Sequence, residues 1–100
     1  METGIEVIAK ERARQIAEEG WTIEHDSIGN SDNQLAEAAA IYALPEDRRI
    51  YEHSVQNLWP WDIKWWKPSP ENRIKELVKA GALIAAEIDR LNHIESKSHE

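Results

Sequence analysis

The chain has 100 residues, 41% of them hydrophobic and 31% charged, enough for one small domain around one modest core. Its net charge of −7 repels nucleic-acid backbones and argues against general binding to DNA or RNA. It has no cysteine, which removes disulfide scaffolds, Cys zinc sites and thiol catalysis and suits a reducing cytoplasm, and it has no run of about 18 apolar residues to span a membrane.

The opening METGIEVIAKER has no uninterrupted apolar stretch behind a basic start and does not read as a signal peptide, so a cytoplasmic location is expected. Residues 5–19 read as a first helix, with Ile5, Ile8, Ala9, Ala13, Ile16 and Ala17 on the face that helical spacing turns to a core. Gly20 follows its last turn, where a left-handed residue ends a helix at low cost. Residues 21–31 hold turn formers and no sustained period, and read as a loop. Asp32 can cap a second helix over 33–43, carried by Leu35, Ala36, Ala39, Ile41 and Tyr42. A short helical piece is expected within 46–52.

A tryptophan-rich segment, Trp59 to Trp66, follows and closes with Lys67-Pro68-Ser69-Pro70. Ser69 is the expected N-cap of a third helix, with Pro70 at its first position and Glu71 in its first turn. That helix runs to residue 94, and around Gly81 it is apolar on nearly all sides, which predicts burial there or a partner chain and makes a homo-oligomer the expected state. The reading is a small all-α domain over 1–94, with three main helices, a long Trp-rich central loop and a frayed polar tail over 95–100.

Catalysis finds little support. Glu24-His25-Asp26 contains a His-Asp pair known from metal phosphohydrolases, but the further His needed upstream is missing, since His25 is the first in the chain. No two Glu are three apart, and no Glu is followed three later by Asp, so the carboxylate pairs that hold magnesium on a helix face are missing too. The histidines have no zinc spacing, the serines no Gly-flanked elbow, and the four glycines form no phosphate loop. No metal or cofactor is expected.

Binding finds more. Five Trp and no Phe is an unusual choice, because Phe fills a core without an N–H to satisfy. Residues 62–79 carry five basic groups against three acids on an otherwise acidic chain, so the indoles sit beside a basic patch. Indole faces stack on flat rings, and cations beside them pair with phosphate. The bland alternative is that the indoles fill a thin core and that Asp26 or Glu24 caps backbone donors.

Two resemblances follow from these residues. Glu18-Glu-Gly-Trp-Thr-Ile-Glu-His-Asp26, Leu58-Trp-Pro-Trp-Asp62, Trp65-Trp-Lys-Pro68, Leu77-Val-Lys-Ala-Gly-Ala-Leu-Ile84 and Ala86-Glu-Ile-Asp-Arg-Leu91 resemble a set of small proteins carried by phages and prophages, over most of the chain. That likeness implies a viral context in a bacterial host and no particular reaction. Arg12 to Trp21 with Glu24 and Asp26, then Pro60-Trp61-Asp62, Lys67 and Asn72-Arg73, are similar to the repeat domain named after the ryanodine receptor. The chain departs from that pattern by the inserted Ala-rich helix, by Trp where Tyr is commoner, and by lacking a final Gly-Tyr. This second likeness implies a nucleotide-type ligand.

The expected function is therefore non-enzymatic binding of a small nucleotide-type ligand, and, in a viral context, sequestration of a signalling nucleotide of host immunity. The candidate ligand residues are Trp21, Glu24, His25, Asp26, Trp59, Trp61, Asp62, Lys64, Trp65, Trp66, Lys67 and Arg73. The indoles would stack the base, Lys64, Lys67 and Arg73 would hold phosphates, and Glu24, His25 or Asp26 would meet ribose hydroxyls. The alternative is an acidic helical module that docks on a host or phage protein.

Overall fold

The computed structural model describes residues 1–49, 55 and 57–98, without the side chains of residues 24, 27, 28 and 98. Helix α1 spans Gly4–Glu19. The Thr3 hydroxyl accepts the Glu6 N–H at 3.2 Å, and the Glu6 carboxylate accepts the Thr3 N–H at 3.0 Å, a reciprocal cap. Gly20 ends the helix at φ 72°, as its position predicts.

The next segment corrects the expected loop. Thr22 caps a second helix, α2, over Ile23–Gly29, by accepting the His25 N–H at 3.1 Å. Seven residues are too few to display a period, so the cap was the only sequence signal for this helix. Helix α3 spans Gln34–Ala43; its N-cap is Asn33, not Asp32, and makes no side-chain cap bond. Asp32 instead donates its N–H to the Gln34 side chain at 2.8 Å. Helix α4, Glu46–Arg49, falls in the expected piece, whose remainder, 50–52, lies outside the described residues.

A 3₁₀ turn over Ile63–Trp65 is opened by Asp62, whose carboxylate accepts the Lys64 N–H at 3.0 Å. The long helix α5 spans Arg73–Ser98, so residues 95–98 of the expected frayed tail are helical. Its first turn is closed by Asn72, which accepts the Lys75 N–H at 3.1 Å, and not by Ser69. Ser69 is buried, and its N–H is taken by Glu76 at 3.0 Å. No strand occurs among the described residues, and the fold is all-α, with α2 and α4 added to the three expected helices.

The core lies between α3 and α5. Leu35, Ala38, Ala39, Ile41 and Tyr42 meet Ala80, Leu83 and Ala86, with Trp59 closing the end. Alanines on both helices allow a close approach and shift bulk to the ends, where Trp and Tyr supply it. Helices α1 and α2 also pack on α5 and cover part of its apolar centre, while Leu77 and Ile84 stay about half exposed.

Helix α1 is turned differently from its apolar stripe. Ile5 and Ile16 are 83% and 40% exposed, while Arg12 and Gln15 are buried. The inward face is held by polar bonds: Arg12 donates to the Trp21 carbonyl at 2.8 Å and pairs with Asp89 at 3.6 Å. Ile8 adds an apolar contact and seats on Gly81, where a Cβ would stand 2.5 Å from its Cδ1.

One buried carboxylate ties the remaining segments. Glu76 accepts from Arg49 at 2.8 Å, from the Ser69 N–H at 3.0 Å and from Arg73 at 3.2 Å. Arg73 also donates to the carbonyls of Tyr42 and Leu44 at 3.0 Å each and to that of Ala43, which satisfies the C-terminal end of α3. Burial pushes the Glu76 carboxyl up, but the donors from Arg49, Ser69 and Arg73 outweigh it and hold it below its ordinary 4.5. Because its folded value lies below the unfolded one, Glu76 contributes full stability above that ordinary value and loses it as pH falls through the folded value. Glu76→Ala strands two guanidinium groups and should cost about 3–5 kcal/mol in a denaturant melt. Glu76→Gln should flatten the acid limb of a plot of stability against pH.

Candidate functional site

Four of the five indoles meet around a cavity of about 590 Å³ between α1, α2, the α3–α5 core and the Trp segment. Trp59 is the hub. It packs edge-on against Tyr42, Trp61 and Trp66 with ring centroids 5.8, 5.3 and 5.1 Å away, and Trp66 lies 4.8 Å from Tyr42. Trp59 and Trp66 are thus core rings first. Trp59, Trp61 and Trp65 face the cavity on one side and Trp21, carried by the α1–α2 junction, on the other.

The indole N–H groups are fixed. Trp59 donates to the Asp62 carbonyl at 3.1 Å, and Trp61 donates to Asn30 at 3.0 Å. Asn30 in turn donates to Asp26 at 2.9 Å, and the His25 ring nitrogen lies 3.1 Å from the same carboxylate oxygen. This chain of bonds places the Trp61 ring from α2, thirty-one residues earlier in sequence.

The wall also carries charge. Arg14 is bound by Glu11, Glu18 and Glu19 at 2.7, 3.3 and 3.2 Å. The hydrogen bond from Arg14 holds the Glu11 carboxyl below its ordinary range, and the Glu11 bond raises Arg14 in return. Lys67 and Lys79 are differently placed. Lys67 stands 5.8 Å from the Trp65 ring centre and Lys79 stands 4.9 Å from that of Tyr42. Among the described residues neither has a carboxylate in ion-pair range. Burial pushes the Lys79 pKa down, and the neighbouring Lys75 adds to the push. Burial raises the Tyr42 phenol, whose oxygen accepts the Lys67 N–H at 3.3 Å.

Gln15 gives the cavity its least expected group. The residue is 1% exposed, its NH₂ donates to Glu11 at 3.2 Å, and its carbonyl oxygen has no partner among the described residues. The amide cannot gain by flipping, because its oxygen would then face the Glu11 carboxylate. A buried acceptor at the cavity wall is left unfilled.

Of the candidate residues, Trp21, His25, Trp59, Trp61, Asp62, Trp65 and Lys67 line the cavity. Lys64 stands over the Trp65 ring at 5.4 Å, on the rim. Three expectations are corrected. Arg73 is committed to Glu76 and the end of α3, so it does not hold phosphate at this cavity. Asp26 is fully buried behind Asn30 and cannot meet a ribose. Trp66 is absorbed by Trp59, Tyr42 and the Arg49 guanidinium 5.3 Å from its ring. The Glu24 side chain lies outside the description.

Sequence reasoning missed Glu11, Arg14, Gln15, Asn30, Tyr42 and Lys79. The i, i+3 and i, i+4 pairing of Glu11, Arg14 and Glu18 was readable, but it gave no direction. Among the described residues no three His, Asp or Glu converge to hold a metal ion, and none of their helices is long and apolar enough to cross a membrane. No family model matches the chain, and neither does any curated protein or solved structure.

The relay from Asp26 to Trp61 gives a direct expectation. Asp26→Ala leaves the Asn30 amide without its acceptor and should cost about 1–3 kcal/mol. Near-ultraviolet circular dichroism of the indoles should fall, with the far-ultraviolet helix signal retained.

Proposed function

We propose that the protein binds a small, flat, anionic ligand of nucleotide type in the Trp-lined cavity. One observation carries this reading: a concave wall that brings together four indoles, Tyr42 and two lysines, neither of which makes a direct ion pair among the described residues. Cavities that hold small molecules have this size, with an apolar lining and a few placed polar groups.

The chemistry divides among named residues. Trp61 and Trp21 offer faces or edges for a planar ring, and Trp65 extends that surface to the rim. Lys67 and Lys79 offset the charge of phosphate, and Lys64 adds a third cation beside Trp65. His25 lies at the wall with a half-exposed ring, available to a hydroxyl.

Holding such a ligand without transforming it fits a sequestering role, in which the protein removes a signalling nucleotide from its receptor. The phage resemblance supplies that context. A protein-docking role is favoured by Ile63 and Trp65, 60% and 58% exposed beside the cavity, and predicts no response to nucleotides.

Fluorescence and melting temperature should be followed against mononucleotides, cyclic dinucleotides and cyclic ADP-ribose isomers. A bound ligand should quench the indoles saturably and, at a hundredfold excess over its Kd, add about 2.7 kcal/mol of stability. Lys67→Ala and Lys79→Met should each weaken binding about tenfold and reduce its salt dependence. A flat response across the panel would sink the nucleotide reading and leave the docking one.

A further inference from the structure

The second face of the fold carries a ridge and a groove side by side. On α5, Leu77, Ile84, Ile88 and Leu91 are each about half exposed. From Ile84 to Leu91 their spacing is the four-and-three alternation of a helix-pairing seam, whereas Gly81, one turn earlier, is already covered by Ile8 of α1. Next to them α3 exposes Ala36, Ala40 and Ala43, one small residue per turn. These alanines and the side chains of Ile84 and Ile88 enclose an apolar groove of about 320 Å³.

Three observations say what covers this face. The first is shape. A bulky ridge beside a small-residue groove on one patch is self-complementary, because a two-fold rotation lays each ridge in the other copy's groove. The second is charge. Two chains of net charge −7 repel, yet the one charged residue lining the groove, Glu87, is engaged by Arg90 at 2.6 and 3.1 Å through both oxygens. The groove itself therefore presents no unpaired carboxylate to a second acidic copy.

The third is area. Four large aliphatic side chains, each about half exposed in one row beside three exposed alanines, form a contiguous apolar patch of the kind that marks an interface. The chain's total surface, 6768 Å², also exceeds the roughly 5,800 Å² of a compact monomer of its mass.

We propose that two copies of this chain pair about a two-fold axis, each seating its Ile84–Ile88–Leu91 ridge in the alanine groove of the other. The pairing uses the face formed by α3 and the ridge side of α5 and requires nothing of the Trp-lined cavity, so it stands or falls apart from the ligand reading.

Light scattering on size-exclusion fractions, from micromolar to hundreds of micromolar protein, should give twice the 11.5 kDa of the chain. Raising the salt should strengthen the dimer by screening two like-charged protomers. Ile88→Glu puts a charge on the ridge, and Ala40→Trp fills the groove; each should give the single-chain mass with the helix signal retained. The two changes sit on different helices, so a folding defect in one leaves the other as the test. Ile5→Glu, exposed on α1 and outside the patch, should leave the dimer intact. A single-chain mass for the wild type throughout that range overturns the proposal. So does a dimer that survives both patch variants, and so does a larger assembly, which needs a contact that a two-fold pair does not supply.

Discussion

The fold depends on one carboxylate that water does not reach. Glu76, in the first turns of α5, gathers Arg49 from α4, Arg73 from its own helix and the backbone of Ser69. A buried charge is tolerable only when its oxygens are filled, and here both are. Through Arg73 the same knot reaches the three carbonyls that end α3. The chain leaves α3, passes through the Trp segment and re-enters at α5, and this knot brings the two ends of that excursion together. The position of the indoles is therefore a consequence of an ion cluster that contains no indole.

From that anchor the aromatic segment is built outward. Trp66 lies against Tyr42 and the Arg49 guanidinium, Trp59 locks onto both rings, and Trp61 and Trp65 reach the cavity from a turn set by Asp62. The inner rings supply the bulk that an alanine-rich helix pair lacks, and the outer rings supply the wall. Trp59 and Trp66 pack with the core, and Trp59, Trp61 and Trp65 line the cavity.

Much of this was legible in the residues. The all-α class, the end of α1 at Gly20 and the span of α3 follow from period and punctuation. What was not legible has a common cause, the sharing of polar groups over long sequence separations. Glu76 looks like any acid on a helix until Arg49, twenty-seven residues away, is placed beside it. Ser69 reads as a cap because Glu76 cannot be seen taking its N–H. Arg73 reads as a phosphate ligand because the end of α3 is thirty residues away. The apolar stripe of α1 pointed to the wrong face because Arg12 and Gln15 pack inward on polar bonds that no periodicity encodes.

That inward polar face of α1 bears on motion. Its seam against α5 includes the Arg12–Asp89 ion pair and the seat of Ile8 on Gly81, whereas α3 meets α5 through a continuous apolar core. A seam of that kind gains little from removing apolar surface from water, so its local opening costs less than unfolding of the whole domain. Helix α1 is also a wall of the cavity, contributing Glu11, Arg14 and Gln15. Opening of that seam would move a wall of the cavity and leave the α3–α5 core in place.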